Sequence, residues 1–126
     1  ATIEGILMNL CIILDVFRKD MDITELNVIG GLAKGDVVRR ALADIYGVRA
    51  KRLNWLDEAT SMGAAVCAGV GAGVLKDFGA IHRFIKVDDV LEPDMEHHKR
   101  YNELKQYFDE CYTGLLKTYD NLAQWK

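Results

Sequence analysis

The stretch Val28–Gly35, "VIGGLAKG", decides the fold because it joins a short apolar run to the start of a helical pattern. The residues that lead into it, Glu25–Gly30, predict a short strand that ends at two glycines. The residues after it have apolar side chains at helical spacing and predict a helix that Gly47 closes. A strand that feeds directly into a helix is typical of a parallel sheet.

The same stretch could bind an anion through its backbone. The N–H groups at a helix start attract negative charge, glycines allow a ligand to approach closely, and Lys34 adds a positive side chain. Spacing alone leaves two interpretations open: a loop that faces a nucleotide phosphate or ribose, and an ordinary turn without a ligand. Two named motifs are excluded, because Asp36 and Val37 replace the Lys and Ser/Thr of a P-loop and Leu32 replaces a glycine of the dinucleotide fingerprint.

Size and composition limit the class of protein. The 126 residues, half of them apolar, suffice for one small domain, and a net charge of −3 argues against a nucleic-acid partner. The longest apolar run, residues 5–14, is about half of a membrane span, and no signal-peptide pattern is present. We therefore expect a cytoplasmic protein without a membrane partner, and reduced packing thiols at Cys11, Cys67 and Cys111. Because Ala1 already lies in a helical pattern, we expect a piece of a longer protein.

Further elements follow on both sides of the loop. The pattern predicts a well-buried helix over residues 2–20, and a second strand over Val48–Asn54 that lies at an edge because three basic residues interrupt it. The first strand should be internal, since its flanks suit an internal parallel strand, a class that is usually apolar on both faces. A third helix follows Asp57, its expected cap, and has a stripe of small residues at every fourth position: Ala59, Gly63, Cys67 and Gly71. The glycines at its end should serve packing and helix termination: Gly69, Gly71 and Gly73.

The last part of the chain predicts an extended stretch that ends at Pro93, then one amphipathic helix over Tyr101–Leu122. Its apolar stripe favours packing within the parent domain over a coiled-coil or partner-binding face. Two strands are too few to cover these apolar helices, so the sheet should need strands from elsewhere. The histidines and an acidic run near this helix are expected to be solvated rather than to bind metal: His82, His97, His98, Glu92, Asp94 and Glu96.

Two longer stretches resemble one known family. "NVIGGLAKGDVVRRALADIYGV" and "DEATSMGAAVCAGVGAGVLKDF" resemble the C-terminal part of the FGGY carbohydrate kinases. "ATIEG" at residues 1–5 resembles the end of a family signature, and the tail that begins "EPDMEHHKRY" resembles the closing helix of the family. The resemblance covers nearly the whole chain, and within the family it is strongest to bacterial members that act on xylulose.

The resemblance implies an α/β fold: the C-terminal part of an actin-like ATPase (ribonuclease H-like) domain, incomplete, with a long C-terminal helix. Residues 1–126 would be a single fragment of the nucleotide-binding domain. An N-terminal kinase domain would supply the sugar site and an aspartate that acts as general base. The implied reaction is transfer of the ATP γ-phosphate, with Mg, to a sugar hydroxyl, with D-xylulose as the expected acceptor. The fragment alone should be inactive, and a homodimer is left open.

Carried over by position, the nucleotide-binding residues are those of the loop: Gly30, Gly31, Leu32, Ala33, Lys34 and Gly35. The resemblance assigns no catalytic residue and no metal ligand to this chain. Leu32 replaces a third glycine and Val38 replaces a tryptophan, and either change could weaken ATP binding. The residues that match the family's "EA-x-x-x-GAA" should form a buried helix behind the loop: Glu58, Ala59, Gly63, Ala64 and Ala65. Leu32 also keeps an alternative open, a non-catalytic nucleotide-sensing or assembly domain.

Overall fold

The computed structural model describes residues 1–125, and Leu32 by its backbone alone. In chain order the elements are α1 (Thr2–Phe17), β1 (Glu25–Val28), α2 (Asp36–Tyr46), β2 (Arg49–Leu53), α3 (Ala59–Gly71), β3 (Val87–Leu91) and α4 (Met95–Gln124). Two short 3₁₀ helices, Gly31–Lys34 and Phe78–Arg83, precede α2 and β3. The order of helices and strands is the one that the sequence predicts, with β3 as an added strand.

The three strands form one sheet in the order β1-β2-β3. The parallel pairing of β1 with β2 is confirmed, and β3 is antiparallel to β2. The predicted positions of β1 and β2 are wrong, because β2 is central and β1 lies at an edge of the described sheet. The basic residues of β2 do not need an edge: Arg49 and Lys51 both form ion pairs with Glu25 on β1.

The core lies between α1 and the end of α2. It consists of seven buried residues from α1, from α2 and from the position just before β2: Leu7, Met8, Cys11, Leu14, Ile45, Tyr46 and Val48. The prediction for α1 is only half right, because the helix ends at Phe17 and residues such as Ile6 and Ile13 on its other face are exposed. No element in the described part of the chain covers that face. Cys11 is a buried thiol as predicted, whereas Cys67 and Cys111 are exposed; all three are free.

The first half of α4 packs against α1 and α2. The hydroxyl of Tyr101 donates to Glu4 at 2.9 Å, and burial together with this contact raises the pKa of Tyr101 to about 12. Lys105 pairs with Asp15, and its Nζ lies 3.4 Å from the Sγ of Cys11. These contacts fix α4 along α1 up to about Phe108, beyond which every described residue of the helix is exposed.

A buried carboxylate, Asp44 of α2, holds the start of α4. Its Oδ1 accepts from the backbone N–H of Asp94 at 2.8 Å, and its Oδ2 lies 3.2 Å from Nδ1 of His97. The Nδ1 of His98 donates to the main-chain oxygen of Asp44 at 2.8 Å. The prediction of solvated side chains is therefore wrong for His98, which is partly buried, whereas His97 and His82 are exposed as predicted. Asp94 caps α4 by accepting from two backbone N–H groups, which fits a solvated acidic run at a helix start.

A buried arginine, Arg39, fixes the start of α2 against the sheet. The residue has 0% exposure, one terminal nitrogen contacts Asp36 at 2.6 Å, and the other contacts Asp89 on β3 at 2.7 Å. Burial opposes the charge, but the hydrogen bonds that the guanidinium donates to Asp89 and Asp36 outweigh it and raise the pKa of Arg39 above its usual value. Because Asp36 follows the Gly30–Gly35 loop directly, this network sets the direction in which the loop enters the helix.

We predict that Gly47→Ala destabilises the protein by about 2 kcal/mol. Gly47 closes α2 as expected, with φ +63°, and an added Cβ would lie 2.6 Å from the ring of His98. The substitution would therefore strain the backbone and displace the ring from Asp44. Urea unfolding measures the difference. Gly114→Ala is the control, because it lies in open space within α4 and should stabilise by up to about 1 kcal/mol. Equal midpoints for the two variants would contradict this account of Gly47.

We predict that Arg39→Met lowers the free energy of unfolding by about 2 kcal/mol, since it leaves Asp36 and Asp89 without their cation. The penalty stays moderate because both carboxylates keep some access to water. Arg40→Met is the matched control: Arg40 is exposed and contacts the main-chain oxygen of Glu92, so the change should cost less than about 1 kcal/mol. If both variants unfold at the urea concentration of the wild type, Arg39 does not hold α2 to the sheet.

Candidate functional site

The loop between β1 and α2 leaves the carboxyl end of the strand and turns directly into the helix. Gly30 has φ +85°, a left-handed conformation that favours glycine, and its N–H donates to the oxygen of Leu56 at 3.3 Å. The 3₁₀ turn Gly31–Lys34 follows, in which the N–H of Ala33 donates to the oxygen of Gly30 at 3.0 Å. The predicted site residues therefore form one continuous turn.

The outer side of this turn is open. Apart from the glycine itself and its two neighbours in the chain, no described atom lies within 4 Å of the position that a Cβ would take on Gly30 or Gly31, whereas Ala33 is fully buried and packs beneath the turn. Gly35 occupies the cap position of α2 and has no side chain to bond to the free N–H groups of the first turn. An anion that reaches the loop could accept hydrogen bonds from these groups. The side chain of Leu32 lies outside the described structure, so its predicted effect on the nucleotide stays a prediction.

The charges around the loop are largely paired. Lys34 contacts Asp57 at 2.6 Å, and both side chains are more than half exposed, so the pair is weak and could separate. Asp36, which is 79% exposed, is paired with Arg39 and lies 3.9 Å from Arg52. Two arginines thus offset the negative charge of Asp36, which lies at the positive end of the helix dipole.

Asp57 does not cap α3, contrary to the prediction. The cap position belongs to Glu58, whose side chain makes no capping hydrogen bond, and the carboxylate of Asp57 points to Lys34 instead. The contact joins the turn after β2 to the loop after β1. Together with the hydrogen bond between Gly30 and Leu56, it holds the carboxyl ends of the two parallel strands side by side.

The prediction that α3 is a buried helix behind the loop is wrong for the described structure. Val66 is the one residue of α3 that is buried, while Glu58, Ala64 and Ala65 are exposed. Small side chains cover little area and pack only where another backbone comes close, and no such backbone is present within residues 1–125. Gly63 and Gly71 accordingly have no neighbour within 4 Å of an added Cβ.

The glycines at the end of α3 behave as the sequence predicts in two respects. A Cβ on Gly69 would lie 2.7 Å from Leu75, so the chain after the helix packs closely on it. Gly73 has φ +72° and follows the end of the helix in a left-handed conformation. Gly71 has no close neighbour, so its packing role is not seen in the described structure.

Sequence reasoning missed a hollow of about 560 Å³ between the start of α3 and the segment before β3. Its lining combines two aromatic rings, two basic residues and one acid, and comprises Asn54, Trp55, Glu58, Met62, Arg83, Phe84 and Lys86. Trp55 is the second residue after β2, and side chains at the carboxyl ends of parallel strands often meet a ligand. A tryptophan at that position was the signal that could have indicated the hollow.

Other predicted features lie away from the loop. His97 and His98 hold α4, the three cysteines are dispersed, and the part of the chain that the structure describes has no group of three His, Cys, Asp or Glu placed to bind a metal. Among the helices within residues 1–125, none is long and apolar enough to cross a membrane.

Comparison with known proteins identifies the family. Residues 1–72 match the C-terminal domain of the FGGY family of carbohydrate kinases. A xylulose kinase of Staphylococcus epidermidis is 36% identical over 114 residues, which are 89% of this chain and 23% of that protein. A glycerol kinase of Rhodopirellula baltica is 41% identical over 97 residues, which are 75% of this chain and 18% of that protein. The chain spans about a quarter or less of the length of these relatives.

Solved structures agree with the sequence matches. The chain is similar to a ligand-bound xylulose kinase of Lactobacillus acidophilus with a TM-score of 0.85 and 26% identity, covering 97% of this chain and 25% of that one. A gluconate kinase of the same organism gives a TM-score of 0.83, also at 26% identity and with the same coverage. The predicted fold class is confirmed as part of the C-terminal domain of an actin-like ATPase fold, with a long C-terminal helix. The chain belongs to the FGGY family of carbohydrate kinases.

Proposed function

We propose that this chain is the nucleotide-binding part of a sugar kinase that transfers the γ-phosphate of ATP to a sugar hydroxyl. Residues 1–126 would form one fragment of the C-terminal domain, and an N-terminal domain outside this chain would hold the sugar and supply the aspartate general base. The observation that carries the proposal is the open, left-handed Gly30 turn, which leads into a helix start without a capping side chain. The family match supports it.

The chain would contribute to the reaction by positioning the nucleotide. Phosphoryl transfer needs little covalent chemistry from the protein, and most of the rate comes from orientation and charge stabilisation. The backbone of Gly30–Gly35 would lie against the adenosine and the first phosphate, and the N-terminus of α2 would direct its partial positive charge toward them. Lys34 could add its full charge when it leaves Asp57. Domain closure would then exclude water from the γ-phosphate.

The described residues alone do not form a binding site for Mg²⁺. The described residues have no cluster of three carboxylate, histidine or thiol ligands, and Mg²⁺ in kinases is held largely by the phosphates of the nucleotide. When bound it would neutralise phosphate charge, and its protein ligands would come from outside this chain.

D-xylulose is the acceptor that we favour. The xylulose kinase of Staphylococcus epidermidis combines 36% identity with 89% coverage of this chain, whereas the glycerol kinase of Rhodopirellula baltica is matched over 75% of it and that of Alkaliphilus metalliredigens, matched over the whole chain, is 29% identical. A gluconate kinase is nearly as similar in structure as the xylulose kinase of the same organism. Because the residues that would contact the acceptor lie in the proposed N-terminal domain, the substrate must be tested directly. ATP as donor and three free cysteines suit a cytoplasmic location.

We predict that Gly31→Val weakens ATP binding at least tenfold, a loss of about 1.4 kcal/mol or more, because the new side chain fills the open space beside the turn. Isothermal titration calorimetry of the 126-residue chain with ATP and Mg²⁺ measures the change. Gly5→Ala is the control: it also lies in open space, but on α1 and away from the loop, so it should bind as the wild type does. Equal ATP affinity in both variants would refute the proposed site.

The alternative, a non-catalytic nucleotide-sensing or assembly domain, is favoured by Leu32 in place of a glycine. The same titration separates the two functions through Leu32→Gly. A kinase loop binds ATP before this change, whereas a domain with a filled site binds little ATP until the leucine is removed. Strong binding that appears only in Leu32→Gly would support the alternative.

We predict no phosphate transfer by the 126-residue chain with ATP and D-xylulose, because the proposed general base lies outside it. A coupled assay that measures ADP detects turnover. The full-length protein that contains the chain should phosphorylate D-xylulose with a higher kcat/KM than glycerol or gluconate. Turnover by the chain alone would refute the missing-base argument, and a preference for glycerol or gluconate would replace the proposed acceptor.

A further inference from the structure

The hollow beside α3 is a separate feature that the proposed function does not use. Its volume of about 560 Å³ lies within the usual range for small-molecule sites, about 300–1,000 Å³. One wall is the turn after β2 with the start of α3, and the other is the segment 83–86 before β3. Leu56 and Asp57 of the same turn meet the Gly30–Gly35 loop, and neither of them lines the hollow.

The walls of the hollow are joined by one side chain, Asn54. Its Nδ2 donates to the oxygen of Phe84 at 3.1 Å, and its Oδ1 accepts from the N–H of Lys86 at 2.7 Å. The backbone of Asn54 also donates to the oxygen of Lys86 at 3.0 Å. Three hydrogen bonds thus hold the two walls in place before any ligand arrives, which reduces the entropy that binding must overcome.

The aromatic side chains of the lining are exposed, and the backbone of one of them, Trp55, is strained. Trp55 is 55% exposed and Phe84 is 48% exposed, and the apolar side chain of Met62 also faces the hollow. Trp55 has φ +49°, and within residues 1–125 it is the one residue other than glycine with a positive φ. A bulky side chain in this conformation is rare, and such strain is concentrated at binding sites. The backbone turns the ring of Trp55 outward at a position where glycine would be less strained.

The charges of the hollow are unpaired. Arg83 and Lys86 bring two cations to the lining, and neither forms an ion pair within the part of the chain that the structure describes. Glu58 is the acidic residue of the lining and has no ion-pair partner there either. Cations beside exposed aromatic rings suit a ligand that has both a flat ring and an anionic group. Glu58 would face water or accept a hydrogen bond from the ligand.

We propose that this hollow is a binding site for a small aromatic anion, a flat ring that bears a phosphate or carboxylate group, and that it is distinct from the nucleotide loop. The ring packs against Trp55 and Phe84, and the anionic group lies between Arg83 and Lys86. Leu56 and Asp57, which follow Trp55 directly, contact Gly30 and Lys34, so an occupant touches the turn that supports the loop. The two sites are neighbours but have separate linings.

Phenyl phosphate tests the site, with phenol and inorganic phosphate as half-probes that lack the anion or the ring. In a Trp125→Phe background, Trp55 is the sole tryptophan, so its fluorescence reports on the hollow of the 126-residue chain. Phenyl phosphate should change the emission and bind at least tenfold more tightly than either half-probe. Binding no tighter than that of inorganic phosphate, or no binding at all, would overturn the proposal.

Two variants assign the binding to the hollow. The double change Arg83→Gln and Lys86→Gln alters exposed side chains, so it should preserve the fold. It should weaken the binding of phenyl phosphate at least tenfold. Trp55→Gly removes the ring, and glycine tolerates the positive φ at this position. Calorimetry should show a similar loss of affinity for phenyl phosphate. Gly31→Val should leave phenyl phosphate binding unchanged even where it abolishes ATP binding. A loss in Gly31→Val, or no loss in the other two variants, would show that the probe occupies the loop instead.

Discussion

The guanidinium of Arg39 is the interaction on which the arrangement of the site depends. It lies at the first turn of α2 and joins Asp36, the residue that follows the loop, to Asp89 on β3. α2 is also the element against which α1, α4, β2 and β3 all pack. A buried cation between two carboxylates fixes orientation more strictly than apolar contacts do, because hydrogen bonds to a planar group have defined directions. The loop therefore enters the helix in one geometry.

The sequence predicted the elements that local chemistry determines. The strand before the glycines, the helix after them and its end at Gly47 follow from residues within one turn or strand of each other, and all three are present. The loop itself could be located in the same way. The prediction of a nucleotide ligand came from the resemblance to a known family rather than from the spacing, because glycines before a helix are compatible with many turns.

The errors share one physical cause, a partner that is distant in sequence. Lys51 made β2 look like an edge strand, but Glu25 on the neighbouring strand pairs with it. His98 looked solvated because Asp44, to which it binds, lies 54 residues earlier. For α1 and α3, an apolar or small-residue pattern indicates that one face of the helix packs against another element. It does not indicate which element that is. The hollow at Trp55 was missed because the hydrogen bonds between its walls join Asn54 to Phe84 and Lys86, which lie 30 and 32 residues later in the chain.

The docking of α4 has a consequence for how firmly its two ends are held. The helix has 30 residues, and within the described part of the chain its contacts to the body stop near Phe108, so about 24 Å of the helix has no lateral contact there. That part depends on its own backbone ladder and on local pairs such as Gln106 with Glu110. Amide hydrogens should then exchange slowly near Asp44 and progressively faster toward Gln124. α4 would then be held at its N-terminal part alone. A partner that binds its C-terminal part would lose little conformational entropy, because the helix there is already formed.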